Sequence, residues 1–317
     1  MNKLEDEDIY IGGWVTLVEH GGLRDSPITH ILSVLDMDLK EHRLQKFQRL
    51  IIKAYDTDEE NLLVQFPQTN SFIKHALESR GSVLVHCAAG KSRSATVVAA
   101  YLMATYKIDV AEALERIRKV RPFCEPNEGF MGQLELYHEM GFPGTVEAIE
   151  DHPKYQHWIW KREVEVAAAA RMAPDRILYH DQERQVGKVL GVERDSSDKA
   201  LLEFRCKSCR KPIGTSHTVV PHDKKKAEEA YRRSRKGPNS NELPCAHHFL
   251  EPLLWMKPEL EQGKLEGRLE CPNQHCKSKI GSYAWHGMRC SCGEWVVPGI
   301  SIQRSKIDEI RLSPNKL

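Results

Sequence analysis

The sequence predicts an α/β domain in which helices flank a central sheet, followed by a small β-rich domain. In roughly the first 145 residues, short apolar runs typical of buried strands alternate with segments of helical periodicity. From residue 201 onward, short β-prone runs, glycines and seven of the nine cysteines dominate. We therefore expect domains at 1–145 and 201–317, joined by a partly helical linker at 146–200.

The elements of the first domain follow from apolar patterns and from the residues that interrupt them. Two runs predict buried strands, at 28–34 and 82–85, and two segments predict helices, at 70–79 and 94–106. Asp109 is placed to cap a further helix, because apolar residues recur at helical spacing from Val110 onward. Asn127 follows Pro122 and Pro126 and can cap a last helix.

The charges nearly balance, with 46 basic and 45 acidic side chains in 317 residues. No overall field therefore directs the chain to nucleic acid or membrane. The acidic start MNKLEDEDIY differs from a secretory or mitochondrial signal, and no apolar run approaches the ~18 residues that span a bilayer. We expect a soluble intracellular protein without a membrane partner.

The stretch HCAAGKSRSA, residues 86–95, joins a predicted strand to a predicted helix. Its loop amides, the positive helix end and the Arg93 guanidinium surround one point, which favours the thiolate form of a cysteine and also fits a phosphate dianion. Gly90 suits a backbone conformation closed to other residues. The loop is completed by small residues and one lysine: Ala88, Ala89, Lys91 and Ser92. We predict that Cys87 attacks a phosphorus atom held by this loop.

A buried cysteine at the end of an apolar strand is more often simple packing. For Cys87 alone that interpretation would be preferred. The combined register of His86, Gly90, Arg93 and Ser94 favours the catalytic interpretation instead.

The segment HCAAGKSRS resembles the HCxxGxxR[ST] signature of the cysteine-dependent protein phosphatases. The surrounding sequence, about residues 8–142, resembles their dual-specificity branch in the segments IYIGGW, ITHILSVLDMDL, AYLMATY and RPFCEPNEGFMGQL. The resemblance implies the cysteine-dependent phosphatase fold and hydrolysis of phosphoserine, phosphothreonine or phosphotyrosine in a phosphoprotein substrate. A lipid or RNA phosphatase stays an alternative, because the loop sequence does not determine the substrate.

The resemblance also implies a role for each residue of the signature. Cys87 is the nucleophile that forms a phosphocysteine, and Arg93 binds phosphate and stabilises the transition state. Ser94 donates a hydrogen bond to the sulfur when it leaves, and His86 orders the loop and tunes the thiolate. No cofactor is expected for this chemistry.

A general acid must protonate the leaving oxygen. Asp56, in KAYDTDEENLL, lies 31 positions before the nucleophile, where the family places its acid, and we prefer it to Asp58 and Glu59. Asn127 resembles the asparagine that braces the phosphate loop, although a helix cap is an equally good interpretation. We expect Lys91 to point to solvent, and Cys124 to be packing.

The seven late cysteines and one histidine could form two closed zinc sites of four ligands each. Cys271, Cys276, Cys290 and Cys292 are expected to form one site. The other would combine Cys206, Cys209 and Cys245 with one of four histidines: His217, His222, His247 or His248. We expect two structural zinc ions.

The whole chain resembles dual-specificity phosphatases with a C-terminal zinc-binding domain that are implicated in maturation of the large ribosomal subunit. FRCKSCRKPI, HHFLEPLLWMKPELEQGKLEGRLECP, KIGSYAWHGMRCSCGEWVVPGISIQRSKID and HPKYQHWIWKRE carry this resemblance. It favours His222 as the eighth ligand, with His247 second, and the CPNQHC insertion leaves Cys276 or His275 open.

This wider resemblance implies a pre-60S particle as partner and a location in cytoplasm and nucleus. The basic segment 224–236 could contact rRNA, or be a solvated loop. A binding and remodelling factor with dispensable phosphatase activity is the alternative.

Overall fold

A computed structural model describes residues 1–18, 23, 26–37, 44–180, 202–222 and 245–312. The chain divides into two units, Met1–Gln156 and His157–Leu317. The basic segment 224–236 and most of the predicted linker from residue 181 lie outside the described residues. The domain boundaries at 145 and 200 stay a prediction.

The sheet of the first unit has five strands: β1 Asn2–Lys3, β2 Ile9–Gly13, β3 Ile28–Leu35, β4 Gln48–Lys53 and β5 Ser82–Cys87. Their order is β1-β2-β5-β3-β4, and β2, β5, β3 and β4 are parallel. The central strands β3 and β5 are buried almost throughout, as expected for parallel strands covered on both faces. Both strands predicted from apolar runs are confirmed, each slightly longer than expected.

Helices of the first unit are α1 Val15–Val18, α2 Phe66–Glu78, α3 Arg93–Tyr106, α4 Val110–Val120, α5 Glu128–Glu139 and α6 Val146–Glu150. The predicted caps are confirmed: the side chain of Asp109 accepts from Glu112 N, and that of Asn127 accepts from Phe130 N. Helix α3 is buried from Arg93 to Met103, because it packs against the sheet and against α2, α4 and α5. A further helix, α7 Pro153–Ala169, crosses the division between the units.

The parallel strands determine where the functional loops meet. β2, β3, β4 and β5 all end at the same edge of the sheet, since parallel strands bring their carboxyl ends together. Residues 36, 54–58 and 88–92 follow directly from three of those ends. One edge therefore collects the predicted nucleophile and the predicted acid.

The second unit is β-rich, as predicted. Its described residues form β6 Leu202–Cys206, β7 Pro212–Thr215, β8 His247–Phe249, β9 Glu266–Glu270, β10 Lys279–Ala284, β11 Met288–Arg289, β12 Trp295–Val296, β13 Gly299–Gln303 and β14 Ile307–Arg311, and a short helix, α8 Lys257–Leu260, lies between β8 and β9. The described strands form sheets in the orders β8-β13-β10-β9, β14-β6-β7 and β11-β12. The core includes Phe204, Tyr283 and Trp285 together with Cys206 and Cys271, so thiols are part of the packing. No helix among the described residues is both long and apolar enough to cross a membrane.

Candidate active site and metal centres

The phosphate loop, residues 88–92, connects the end of β5 to the start of α3. Cys87 is the last residue of the strand and is 1% exposed. Its Sγ accepts a hydrogen bond from Gly90 N at 3.2 Å and lies 3.4 Å from Ser94 Oγ. A backbone amide and a helix N-terminus facing one sulfur stabilise negative charge there.

Gly90 is the residue that lets the loop turn so tightly. Its φ is +70°, and a Cβ there would lie 2.4 Å from Gly12 O and 2.6 Å from Arg121 Nη2. A side chain is therefore excluded twice, by the backbone conformation and by space. Below the loop, Gly13 allows the end of β2 to approach Ala88 and Ala89.

Arg93 lies buried at the start of α3, with a side-chain exposure of 7%. Nη1 donates to the Ala54 carbonyl at 2.9 Å, and Nε lies 3.5 Å from Asp56 Oδ2, an ion-pair distance. Nε makes no hydrogen bond to any described atom. A fixed guanidinium with a donor to spare at the edge of an amide loop can bind a phosphate oxygen.

Asp56 reaches the same point from the loop after β4. Its Oδ1 accepts from Ser92 Oγ at 2.6 Å and from Asn127 Nδ2 at 3.1 Å. Asn127 N also donates to Ser92 Oγ at 3.2 Å, so Asn127 is both helix cap and brace. Asp58 faces away from this contact, because its Oδ1 accepts from Gly129 N at 3.3 Å.

His86 is fully buried beneath the loop, and its Nε2 lies 2.7 Å from Ser33 Oγ. Burial lowers the pKa of the imidazole to about 4, against an opposing contribution from the Cys87 backbone. The ring is therefore neutral at pH 7.

Two other residues near the loop behave as expected. Lys91 is exposed, and its Nζ pairs with Glu125 at 2.8 Å. Burial raises the pKa of the Cys124 thiol to about 11, and its Sγ faces the Gly90 carbonyl at 3.6 Å. Cys124 is thus a protonated packing residue at neutral pH.

Arg121 holds the phosphate loop from behind, and the sequence interpretation did not identify it. Its Nε donates to Gly90 O at 2.7 Å and its Nη2 to Ala89 O at 3.1 Å, while Nη1 donates to Asn2 Oδ1 at 2.7 Å. Carbonyls drawn toward Arg121 leave loop N–H groups free to face the anion. The sequence signal for this role is the segment RPFCEPNEGFMGQL, which begins with Arg121 and resembles the phosphatase family.

Gln133 holds the acid loop, residues 54–62 between β4 and the turn that precedes α2, and the sequence interpretation did not identify it either. Its Oε1 accepts from Leu62 N and Leu63 N at 2.8 and 2.9 Å, and its Nε2 donates to Glu60 O at 2.8 Å. The side chain is completely buried. Close by, a Cβ on Gly129 would lie 2.2 Å from Asp58 O, so this glycine lets the acid loop rest on the start of α5.

The eight predicted metal ligands form two groups, but not the two groups expected. One cluster contains Cys206, Cys209, Cys271 and Cys276, and the other contains His222, Cys245, Cys290 and Cys292. The expected site of Cys271, Cys276, Cys290 and Cys292 is therefore wrong. The turn after β6 lies beside the β9–β10 turn, where Cys209 Sγ is 3.5 Å from Cys271 Sγ. The segment before β8 lies beside the β11–β12 turn, where Ala246 N donates to Ser291 Oγ at 2.8 Å.

The competing ligands have other surroundings. His222 Nε2 lies 3.4 Å from Cys245 Sγ, whereas His217 and His275 are exposed. His248 pairs with Glu309 at 3.0 Å. The favoured His222 and Cys276 are thus the residues that complete the clusters.

The distances within both clusters fit a tetrahedral zinc ion. A zinc–sulfur distance of about 2.3 Å places two thiolates of a tetrahedron about 3.8 Å apart, and a thiolate and an imidazole slightly closer. Cys206 and Cys276 are 3.9 Å apart and Cys209 and Cys271 are 3.5 Å apart between sulfurs, and all nine cysteines are free thiols. Cysteine and histidine at this spacing can hold zinc without an open position for water.

Known proteins resemble this chain over almost its full length. Residues 9–140 match the model of the dual specificity phosphatase catalytic domain. The chain is 36% identical to the tyrosine-protein phosphatase yvh1 of Schizosaccharomyces pombe, covering 98% of this chain and 86% of that protein. It is 35% identical to YVH1 of Saccharomyces cerevisiae (98% and 92%) and 30% identical to dual specificity protein phosphatase 12 of Homo sapiens (96% and 88%).

Proposed function

The chain belongs to the dual-specificity phosphatases of the Yvh1 type and is a protein phosphatase; we propose that it hydrolyses phosphoserine, phosphothreonine and phosphotyrosine through a phosphocysteine at Cys87. The observation that carries this proposal is the meeting of three groups at one sheet edge. Cys87 Sγ accepts a hydrogen bond from Gly90 N. The Nε of the buried Arg93 makes no hydrogen bond to any described atom, and Asp56 Oδ2 lies 3.5 Å from it.

In the first step, the Cys87 thiolate forms an S–P bond while the P–O bond to the substrate breaks. The electron pair of that bond goes to the leaving oxygen, which takes a proton from Asp56. Arg93 and the loop amides bind the phosphoryl oxygens, whose charge they stabilise in the transition state.

In the second step, water attacks the phosphorus and Asp56 takes its proton. The S–P bond breaks, and its electron pair returns to Cys87 as a thiolate. Ser94 Oγ, 3.4 Å from Sγ, is near enough to donate a hydrogen bond to the departing sulfur. Inorganic phosphate leaves and the enzyme is restored.

Turnover of aryl phosphates with graded leaving groups tests the residue roles. Cys87→Ser and Arg93→Ala should abolish turnover, and Asp56→Asn should slow poor leaving groups more than good ones. Asp58→Asn is the matched control, because it removes a neighbouring carboxylate that contacts Gly129. Full activity of Cys87→Ser, or leaving-group dependence in Asp58→Asn instead of Asp56→Asn, would contradict the assignment.

A substrate panel tests the class of phosphate ester. Phosphopeptides carrying serine, threonine or tyrosine phosphate should be hydrolysed faster than phosphoinositides or RNA 5′-phosphates. The pairing of Lys91 with Glu125 supports this order, because it neutralises the one lysine of the loop. Faster release from a lipid or from RNA would replace the proposed substrate class.

The second unit binds two structural zinc ions in this proposal and acts on the pre-60S particle in cytoplasm and nucleus. Its support is the resemblance of its segments to zinc-domain phosphatases of ribosome maturation, and the fit of both clusters to zinc. Closed four-ligand sites contribute folding free energy and no open coordination position for chemistry.

Co-sedimentation with pre-60S particles separates the two activities. The chain carrying Cys206→Ser should lose association with the particle, because a zinc ligand is missing, whereas Cys87→Ser should associate like wild type. Wild-type association of Cys206→Ser would refute the role of the zinc unit. Loss of association in Cys87→Ser would place the docking role in the phosphatase unit instead.

A further inference from the structure

A third group of potential metal ligands lies in the second unit, apart from both cysteine clusters. His157, His180 and Glu251 each offer one ligand atom, and the three atoms all lie within 4.8 Å of one another. Glu251 Oε1 is 3.5 Å from His157 Nε2, and Oε2 is 2.7 Å from His180 Nε2. We propose that these three side chains bind a third divalent ion, of the zinc class.

The backbone holds the three ligands in place. His157 projects from α7. His180 N donates to Pro252 O at 2.9 Å, and Leu254 N donates to His180 O at 3.2 Å. Glu251 N donates to Thr218 O at 2.9 Å. His180 is thus paired with the residues that directly follow Glu251, so these two ligands share one rigid piece of backbone.

The distances fit a small tetrahedral ion after one minor adjustment. Imidazole nitrogen and carboxylate oxygen at about 2.0–2.1 Å from zinc stand about 3.3 Å apart in a tetrahedron. The separation between Glu251 and His157 already matches this value. That between Glu251 and His180 is shorter, a hydrogen-bond distance, and must open by roughly half an ångström when an ion replaces the shared proton.

Ligand chemistry and burial indicate the class of ion. Two imidazoles and one carboxylate favour zinc and similar transition ions over magnesium or calcium, which take oxygen ligands. The side chains are 30%, 22% and 21% exposed for His157, His180 and Glu251. Partial burial restricts the positions of the three side chains, and their remaining exposure lets an ion reach them. Three protein ligands leave a fourth position for water, unlike the closed cysteine clusters.

The alternative occupant is a proton. Without an ion, the Glu251 carboxylate can accept hydrogen bonds from the two imidazoles. The proton-bound and metal-bound states differ in metal content. In the metal-bound state, the ion would join His157 in α7 to the segment that contains Glu251, and both belong to the second unit.

Metal analysis of the full-length protein distinguishes the two states. After equilibration with zinc at buffered free concentrations and removal of excess ion, wild type should hold three zinc ions per chain. Glu251→Gln and His180→Ala should each hold two. His217→Ala is the matched control, since this exposed histidine of the same unit belongs to none of the clusters, and it should retain three.

Cobalt supplies a second readout that does not depend on a variant. Wild type preloaded with two zinc ions should take up one cobalt ion whose visible spectrum lacks sulfur-to-metal charge transfer, because no cysteine is among the ligands. A wild-type stoichiometry of two, a third ion retained in Glu251→Gln, or a cobalt spectrum with thiolate bands would each overturn the proposal. None of these results depends on phosphatase activity or on binding to pre-60S particles.

Discussion

Replacing Arg121 by alanine should weaken binding of phosphate-like anions without removing any group that touches them. The guanidinium donates to the carbonyls of Gly90 and Ala89 and to Asn2. Ala89 is exposed, so water can replace the hydrogen bond that its carbonyl loses in the variant. Gly90 is buried, so we expect no water to replace the hydrogen bond that its carbonyl loses. The loop is then free to rotate its peptide planes, and fewer N–H groups face the anion.

The magnitude follows from the one hydrogen bond that water cannot replace. A hydrogen bond to a charged group contributes about 1.5–3 kcal/mol. If the loop transmits this loss to the anion, affinity falls roughly tenfold to a hundredfold, at about 1.4 kcal/mol per tenfold. Arg121→Lys should fall between wild type and alanine, because one ammonium cannot span the three acceptors.

Competitive inhibition of aryl phosphate turnover by vanadate measures this affinity. Arg118→Ala is the control, because Arg118 lies one turn earlier in α4 and donates to Cys124 O, outside the phosphate loop. The inhibition constant should rise for Arg121→Ala and stay within twofold of wild type for Arg118→Ala. Equal inhibition constants for all three proteins would refute the reasoning.

Three further predictions test other parts of the molecule. Gly129→Ala should slow turnover of poor leaving groups, since its Cβ would meet the acid loop 2.2 Å away, whereas Gly132→Ala, with nothing within 4 Å, should be neutral in the same assay; equal rates would contradict this placement. The first unit should lose stability as pH falls from 6.5, the ordinary pKa of histidine, to about 4, the pKa of buried His86. In this window His86 binds a proton in the unfolded chain but not in the folded protein. The loss should be about 2 kcal/mol at pH 5 in denaturant titrations, and His86→Asn should lack this component; identical pH slopes would speak against it. Cys206→Ser should expose its own cluster to alkylation while the other stays protected: Cys209, Cys271 and Cys276 react, and Cys245, Cys290 and Cys292 do not. Mass spectrometry reads the labelled sites, and labelling of all six would show that the clusters are not separate.

The sequence was informative wherever the chemistry lies in one contiguous stretch. Cys87, Gly90 and Arg93 meet because a single turn connects a strand to a helix, and that turn is visible in the order of apolar and small residues. Asp56 lies 31 residues before Cys87 in the chain, and resemblance alone selected it over Asp58. Its contacts with Ser92 and Asn127 agree with that choice.

Residues that act through partners distant in sequence could not be predicted from apolar patterns, and resemblance alone identified Asn127. Arg121 contacts a carbonyl 31 residues earlier, and Gln133 contacts amides 70 and 71 residues earlier. Neither interaction leaves a periodicity in the chain, and each residue alone suggests an ordinary helix surface. Tertiary packing decides such roles, after the sheet has brought the loops together.

The grouping of the cysteines was wrong for a related reason. Neighbouring pairs in the sequence suggest neighbouring ligands, but strand pairing determines which turns meet. β9 and β10 pair directly, so Cys271 and Cys276 lie at one end of a hairpin. β11 and β12 form a separate hairpin that carries Cys290 and Cys292. Each hairpin contributes two ligands to a different cluster, and each cluster is completed by a segment from earlier in the chain.

The hydroxyl of Ser92 joins the phosphate loop to the loop that carries Asp56. Ser92 Oγ donates to Asp56 and accepts from Asn127 N, so one residue of the phosphate loop holds both the acid and its brace. Asp56 also lies beside the same Arg93 guanidinium that a substrate phosphate requires. An arriving dianion would compete with the Asp56 carboxylate for Arg93, because both are anions that a guanidinium can bind. In the proposed reaction, anion binding and the position of Asp56 are therefore coupled, because both depend on the same arginine.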